Sequence, residues 1–426
     1  MGNSQGSTRG SVEYETASKA FSQSELEKMK KIYISLAAQS RSQGEYVSAS
    51  AFQAYFGIRG SLGTRLFDMV TQMRKDQRLY FEDIVIAKAT YEKGSPSEME
   101  DFMFQLLDLT GDGKVRKTEV ESVMLSILVT VLGSKDGVTE ANLPEDSLQA
   151  FLSATEYSEN SEEEAEPCMS MKDFRKLCTA IPSIKKFLAS LLTPPRAGPA
   201  GRQIPNLVIP ESFGGSPILR AEHAWHISGI LQQQDTQGWA LLYHSSMNGL
   251  SFNTFMGNVL GVGGPTILVI KDKEGCVYGG YASQPWEKHP DFYGDMKCFL
   301  FTLRPRVSIY RPTGSNNNLQ WCAHNYISES IPNGIGFGGQ IHHFGLFVAG
   351  SFDRGHTRYS VTFGNPALST KENIIPQTIE CWGVLGNDEG PDGAKLKGTC
   401  LERFQEDRQF LNMVGRANAS DTVGPE

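Results

Sequence analysis

Oxygen-bearing residues recur at a regular spacing in one short stretch of the N-terminal half. The stretch runs from Asp108 to Glu119, and it offers side-chain oxygens from Asp108, Thr110, Asp112 and Glu119 and the backbone carbonyl of Lys114. Calcium takes oxygen ligands, and a twelve-residue loop can supply them from its positions 1, 3, 5, 7 and 12. The spacing therefore predicts one calcium site in this loop.

Helical sequence patterns lie on both sides of the loop. Ser95 and Glu98 form a predicted capping box at the start of the first helix, and apolar residues in the segment 120–131 repeat at helical spacing. A helix, a twelve-residue loop and a second helix resemble an EF-hand. Gly113 would then make the sharp turn, and Val115 would pair with a strand of a neighbouring loop.

Two positions of the loop depart from the usual EF-hand ligands. Thr110 stands where Asp or Asn is usual, and Arg116 stands where a residue normally binds the ion through water. Lys114, Arg116 and Lys117 also offset the three carboxylates. An EF-hand fold that is retained without metal therefore remains an alternative to the predicted calcium site.

A second set of residues lies in the C-terminal half, between Ile331 and Val384. It contains Gly336 and Gly339, and its last strand-like segment carries Glu380 between two apolar residues. A carboxylate on a buried strand must be paired, and Arg354 or Arg358 is the predicted partner. A structural role is favoured over catalysis for Glu380.

Catalytic motifs are missing from the sequence. Gly334, Gly336 and Gly339 formally match G-x-G-x-x-G, but no strand–helix–strand pattern surrounds them. The residues Cys322, His324, His342, His343 and His356 match no zinc-binding spacing. Neither a nucleophile elbow nor an H-E-x-x-H pair is present. The sequence therefore predicts a protein that is not an enzyme.

Composition excludes some classes of partner. The formal net charge is -8, and neither half of the chain is basic, so a nucleic acid is not an expected partner. The seven cysteines form no C-x-x-C pair, which indicates reduced thiols rather than a disulfide framework. No apolar run reaches the roughly 18 residues of a membrane span.

The stretch from Ile331 to Val384 closely resembles the core of the TLDc domain, and the resemblance extends back to about Ile204. It implies an α+β fold in which two antiparallel sheets pack together with helices around them. Leu219–Gln234 is predicted to be one of these helices. The predicted organisation is a flexible N-terminal tail (1–20), an all-α EF-hand-like domain (21–192), a Pro/Gly linker (193–205), the TLDc domain (206–386) and a C-terminal amphipathic helix (394–418).

Both ends of the sequence carry further signals. Gly2 follows Met1 and is a predicted acceptor for an N-myristoyl group, although Gly6 stands where Ser or Thr is expected. In the C-terminal helix, the predicted partner-binding residues are Leu401, Phe404, Arg408 and Leu411. An amphipathic helix of this kind either packs back on its own domain or docks in a partner's groove.

The order of these parts resembles lysosome-associated members of the TLDc family. That resemblance implies an adaptor on the cytoplasmic face of the lysosomal membrane. It also implies binding to the soluble sector of the vacuolar proton-pumping ATPase and a part in mTOR signalling, with calcium tuning the contact. The alternative is a TLDc enzyme, or an oxidative-stress protection factor, whose chemistry is not visible in the sequence.

Overall fold

The computed structural model describes residues 5–40, 44–72, 76–133, 137–157, 166–194, 198 and 200–385, with side chains from residue 12 onward. The chain forms two compact units, and each is assembled from separate segments. The first unit comprises Met1–Ile204, Ala221–Leu231 and Pro305–Ser308, and the second comprises Pro205–Arg220, Gln232–Arg304 and Ile309–Glu426. Residues 221–231 were expected in the second domain and lie instead in the first unit.

The first unit is helical. Its helices in the described residues are α1 (Gln5–Ser18), α2 (Gln23–Gln39), α3 (Ala49–Phe56), α4 (Gly60–Val70), α5 (Phe81–Lys93), α6 (Pro96–Gln105), α7 (Lys117–Leu132), α8 (Glu145–Leu152), α9 (Met171–Ala180), α10 (Pro182–Leu188) and α11 (Ala221–Ser228). The predicted capping box of Ser95 and Glu98 is present at the start of α6. It satisfies N–H groups that have no partner within the helix.

The loops between these helices form pairs, and a short antiparallel strand contact joins the two loops of each pair. Val47 and Leu79 form an antiparallel bridge between the first two loops. Strand β1 (Val115–Arg116) pairs with β2 (Cys168–Met169) in the same manner. Val115 therefore pairs with a neighbouring loop, as its position predicted.

Helix α11 contributes a large aromatic side chain to the core of the first unit. Trp225 is 1% exposed, and its ring centroid lies 5.9 Å from that of Phe151 and 6.5 Å from that of Phe187. Its indole N–H donates to the carbonyl of Gly201 at 2.9 Å. On the same helix, the buried Glu222 accepts a hydrogen bond from Ser147 at 2.9 Å.

His226 on α11 is expected to make the first unit sensitive to acid. Burial lowers the pKa of His226 to about 3, from an ordinary value of 6.5. Because the folded pKa is the lower one, the stabilisation is complete above pH 6.5 and is lost as the pH falls toward 3. The total is on the order of 5 kcal/mol, at about 1.4 kcal/mol per pKa unit.

The measurement is urea unfolding followed by far-ultraviolet circular dichroism, at neutral pH and at about pH 5. Over that interval His226→Leu should lose roughly 2 kcal/mol less unfolding free energy than the parent chain. Equal losses in the two proteins would contradict the assignment to His226.

The second unit is built mainly from strands. They are β3 (Asn206–Val208), β4 (Gly238–His244), β5 (Thr266–Asp272), β6 (Val277–Ala282), β7 (Phe299–Arg304), β8 (Ser308–Tyr310), β9 (Gln320–Ala323), β10 (Gly334–Gln340), β11 (His343–Ala349), β12 (Gly355–His356), β13 (Asn373–Ile374) and β14 (Pro376–Val384). Ser308, the first residue of β8, belongs to the first unit. Helices α12 (Ser245–Asn248) and α13 (Phe252–Val259) follow β4.

The described strands form two larger sheets. One has seven strands in the order β3-β4-β14-β5-β6-β7-β8, and the other has five in the order β13-β12-β11-β10-β9. Strand β3 pairs with β4 in parallel, and the pairings along β4-β14-β5-β6-β7 and β13-β12-β11-β10-β9 are antiparallel. One apolar cluster contains residues of both sheets, among them Leu268, Cys381 and Phe337. At Gly280 an added Cβ would lie 2.7 Å from the Phe337 ring, so glycine permits this close approach.

The N-terminal tail 1–20 was predicted to be flexible, and most of it forms helix α1 (Gln5–Ser18). The α+β architecture with packed antiparallel sheets is confirmed for the second unit. The predicted helix Leu219–Gln234 is too long, since α11 covers only Ala221–Ser228. Among the described residues, no helix has the length and apolar character needed to cross a membrane.

Candidate functional site

The loop predicted to bind calcium lies between α6 and α7 in the first unit. Asp108 and Glu119, its first and last predicted ligands, are 5% and 6% exposed. Asp108 accepts hydrogen bonds from the N–H groups of Gly111 at 2.7 Å and Gly113 at 2.9 Å, and from the Thr110 hydroxyl at 3.3 Å. Asp108 therefore holds the loop backbone in its turn.

Glu119 is likewise turned toward the backbone. One carboxylate oxygen accepts from the N–H of Thr110 at 2.9 Å, and the other accepts from the N–H of Arg116 at 2.9 Å. The bond from Arg116 is part of the cap at the start of α7. Both oxygens that would bind calcium in a bidentate manner thus accept backbone hydrogen bonds.

The Arg116 side chain lies across the same loop. One of its terminal nitrogens is 2.6 Å from an Asp112 carboxylate oxygen. The other is 3.3 Å from the second Asp112 oxygen, 3.4 Å from the Thr110 hydroxyl and 3.7 Å from Glu119. The hydrogen bond from Arg116 holds the pKa of Asp112 at about 2. Lys114, whose carbonyl was a predicted ligand, donates its N–H to Asp112 at 3.0 Å.

This arrangement does not fit a resident calcium ion. The structure brings the predicted ligand residues into one loop, but their oxygens face N–H groups, the Arg116 guanidinium and, at Asp108, the Arg65 guanidinium 3.8 Å away. Within the described residues, no group of three or more His, Cys, Asp or Glu side chains is placed to hold a metal ion. Calcium binding stays a prediction.

Glu380 lies on β14, an interior strand of the seven-stranded sheet, and is 0% exposed. One of its oxygens accepts from the N–H of Ile218, and the other accepts from the N–H of Leu219 at 3.2 Å and the indole N–H of Trp382 at 3.0 Å. His244 Nε2 lies 3.4 Å from the first oxygen. Burial raises the pKa of Glu380, and the N–H donors act in the opposite direction.

His244 is oriented by its other ring nitrogen. The N–H of Ser246 donates to His244 Nδ1 at 3.2 Å, so the neutral ring carries its proton on Nε2, which faces Glu380. Burial lowers the pKa of His244 and favours this neutral form. Glu380 is therefore enclosed by donors and ties the segment before α11 to β14.

The predicted pairing of Glu380 with Arg354 or Arg358 is wrong. Arg358 lies 3.5 Å from Glu372, and Arg354 directly precedes β12 in the other sheet. Backbone and indole N–H groups replace the expected guanidinium. Sequence reasoning missed His244, and the polar end of the apolar run 239–243 was the only local signal for it.

Gly336 and Gly339 serve the hairpin of β10 and β11. An added Cβ at Gly336 would lie 2.6 Å from the carbonyl oxygen of Leu346. At Gly339, where φ is +84°, it would lie 2.1 Å from the carbonyl oxygen of His343. These glycines allow close strand contact and a left-handed backbone, and an antiparallel hairpin is not a dinucleotide-binding unit.

Several predicted sites lie outside the described residues. They are the acylation site Gly2 and the partner-binding residues Leu401, Phe404, Arg408 and Leu411. The acylation and the C-terminal helix stay predictions.

Comparison with protein families decides the nature of the second half. The family model of the TLDc domain matches residues 212–385, which include the five-stranded sheet, the seven-stranded sheet apart from β3, and Glu380. The chain contains a TLDc domain. The resemblance inferred from the glycine-rich stretch is thereby confirmed.

Among full-length relatives, the chain is similar to the mTOR-associated protein MEAK7. It is 36% identical to the mouse protein over 225 residues, which are 51% of this chain and 49% of the relative. It is 33% identical to the human protein over 221 residues, 51% of this chain and 48% of the relative. The matched region thus spans about half the length of these relatives.

A second group of relatives shares a shorter region. Oxidation resistance protein 1 of Xenopus tropicalis is 34% identical over 144 residues, which are 34% of this chain and 16% of the relative. That match is shorter than the TLDc domain itself.

Proposed function

We propose that this chain is a non-catalytic adaptor that takes part in mTOR signalling. The observation that carries the proposal is the length of the match to mouse MEAK7. It covers 225 residues, more than the TLDc domain over 212–385, whereas the match to oxidation resistance protein 1 covers 144. The additional similarity favours the mTOR-associated relatives as the guide to function.

The finer form of the proposal names a partner and a place. The adaptor binds the soluble sector of the vacuolar proton-pumping ATPase on the cytoplasmic face of the lysosomal membrane. An N-myristoyl group on Gly2 gives a first membrane contact, and because one acyl chain binds membranes only weakly, the pump supplies the second. Calcium tuning of this contact is a separate proposal.

The geometry of Glu380 supports a non-catalytic role. It is fully buried and surrounded by N–H donors. A catalytic acid or base must reach the atom whose proton it moves, and an enclosed carboxylate that ties two segments together is placed for stability instead.

The alternative function is oxidative-stress protection or an enzymatic activity of the TLDc domain. The similarity to oxidation resistance protein 1 favours it, although over a shorter region. An activity of that kind resides in the TLDc domain, whereas the proposed adaptor uses the C-terminal segment as well. This difference makes the two functions separable.

Removal of residues 395–426 is expected to weaken binding to the isolated soluble sector of the pump at least about tenfold. A helix docked in a groove buries several apolar side chains there, and truncation removes all of these contacts. A loss of about 1.4 kcal/mol of binding free energy already raises the Kd tenfold. Binding is measured with the purified full-length and truncated chains, each in calcium and in chelator.

Matched variants separate docking from general effects of the segment. Replacing Leu401 and Leu411 by Asp should reproduce the loss, while Glu402→Gln and Asp407→Asn should retain binding. If the full-length chain binds neither the pump sector nor mTOR complexes from cell extract, the adaptor proposal is wrong. A difference between calcium and chelator would establish calcium tuning.

A further inference from the structure

We propose that the Arg116 guanidinium is a built-in cation of the loop Asp108–Glu119. In this proposal the loop is ordered without metal, and calcium can bind only by displacing Arg116. The inference concerns the first unit alone and is independent of the proposed adaptor function.

The contacts of Arg116 carry the first step. Its guanidinium nitrogens lie 2.6 and 3.3 Å from Asp112, 3.4 Å from Thr110 and 3.7 Å from Glu119. These are three of the residues that the spacing predicted as calcium ligands. A guanidinium is always charged and presents its donors in a rigid fork. The Arg116 side chain therefore supplies positive charge to the carboxylates of both Asp112 and Glu119.

The second step is the orientation of the carboxylates. Glu119 accepts from the N–H groups of Thr110 and Arg116, and Asp108 accepts from those of Gly111 and Gly113. A calcium ion bound by Glu119 in a bidentate manner would have to share both carboxylate oxygens with these N–H donors, and one of them with Arg116 as well. These backbone hydrogen bonds hold the loop in its closed turn.

The third step is the anchoring of Arg116 itself. Its backbone pairs with Cys168 in the register of β1 and β2, and its N–H lies at the capped start of α7. Because the strand pairing and the helix cap fix the backbone of Arg116, rotation about its side-chain bonds alone brings the guanidinium to Asp112. Calcium and the guanidinium then compete for the same oxygens.

The experiment compares the full chain with Arg116→Gln in millimolar calcium and in chelator. Thermal unfolding gives the melting temperature, and isothermal titration with calcium alone gives the Kd. The parent chain should melt at the same temperature in both buffers. In chelator, Arg116→Gln should melt about 2–4 °C lower, and calcium should restore the melting temperature.

Calcium affinity is the second readout. Arg116→Gln should bind calcium at least about tenfold more tightly than the parent chain. Removal of the positive guanidinium leaves the loop with a more negative charge, and the charge of the ligands sets calcium affinity. Arg175→Gln is the matched control. Arg175 pairs with Glu100 at 2.7 Å on the surface of the same unit, and its loss should leave calcium affinity unchanged.

Three results would overturn the proposal. They are a parent chain that calcium stabilises by several degrees, an Arg116→Gln variant that binds calcium no more tightly, and a variant that is no less stable in chelator. If Arg116→Gln does not fold, Arg116→Lys provides the test. It keeps the charge without the planar fork, and it should fold and bind calcium more tightly than the parent chain. Equal or weaker affinity in the lysine variant would also overturn the proposal.

Discussion

Replacement of Trp225 by alanine is expected to lower the unfolding free energy of the first unit by about 3–5 kcal/mol, the range for large-to-small core substitutions of aromatic residues. Trp225 is 1% exposed and lies between Phe151 and Phe187. The substitution also leaves the carbonyl of Gly201 without the indole N–H that now donates to it. Urea unfolding followed by far-ultraviolet circular dichroism measures the effect, because the first unit is helical.

Two variants bound the interpretation. Trp225→Phe keeps a ring in the core and loses the hydrogen bond, so it should cost less than the alanine variant. Tyr359→Ala removes an aromatic side chain that is 60% exposed, and it should change stability by no more than about 0.5 kcal/mol. A Trp225→Ala variant as stable as the Tyr359→Ala control would show that α11 does not support this unit.

Replacement of Glu380 by alanine is expected to destabilise the TLDc domain by about 3–5 kcal/mol, as when one partner of a buried charged network is removed. The N–H groups of Ile218, Leu219 and Trp382 would lose their common acceptor. An unsatisfied buried donor costs about 1–3 kcal/mol. Unfolding followed by tryptophan fluorescence reports mainly the second unit, which contains Trp239, Trp286, Trp321 and Trp382, four of the five tryptophans of the chain.

Glu380→Gln keeps the size of the side chain and one acceptor oxygen, and it should cost less than the alanine variant. Glu372→Ala is the matched control. Glu372 is a carboxylate with 65% side-chain exposure that pairs with Arg358, and its loss should cost under about 1 kcal/mol. If Glu380→Ala leaves stability unchanged but abolishes a TLDc-dependent protective activity, Glu380 has a chemical role.

Local signals in the sequence predicted much of this fold. The capping box of Ser95 and Glu98 depends on residues three apart, and it is present. The apolar residues of the segment 120–131 repeat at helical spacing, and helix α7 (Lys117–Leu132) contains all of them. Such features depend on neighbours along the chain, which the sequence displays directly.

Features that depend on distant segments were not predictable in this way. Glu380 is held by Ile218 and Leu219, which precede it by more than 150 positions. Their donors are backbone N–H groups, which every residue type except proline carries. The sequence therefore favoured a charged side chain, Arg354 or Arg358, as the partner of Glu380. The contacts of Arg116 show an intermediate case. Its charge was noted as unfavourable to calcium, but only coordinates show that it reaches Asp112 and Glu119.

The first unit is assembled from three separate segments of the chain, and this affects when it can fold during synthesis. Its core includes Trp225 and Val307 as well as residues before position 205. A ribosome adds about 5–20 residues per second, and domains generally fold from the N-terminal side as they emerge. Here the helices before Ile204 must wait for about a hundred further residues before their last apolar contacts can form. Chaperones therefore have a window of several seconds in which this nascent helical region still exposes apolar surface.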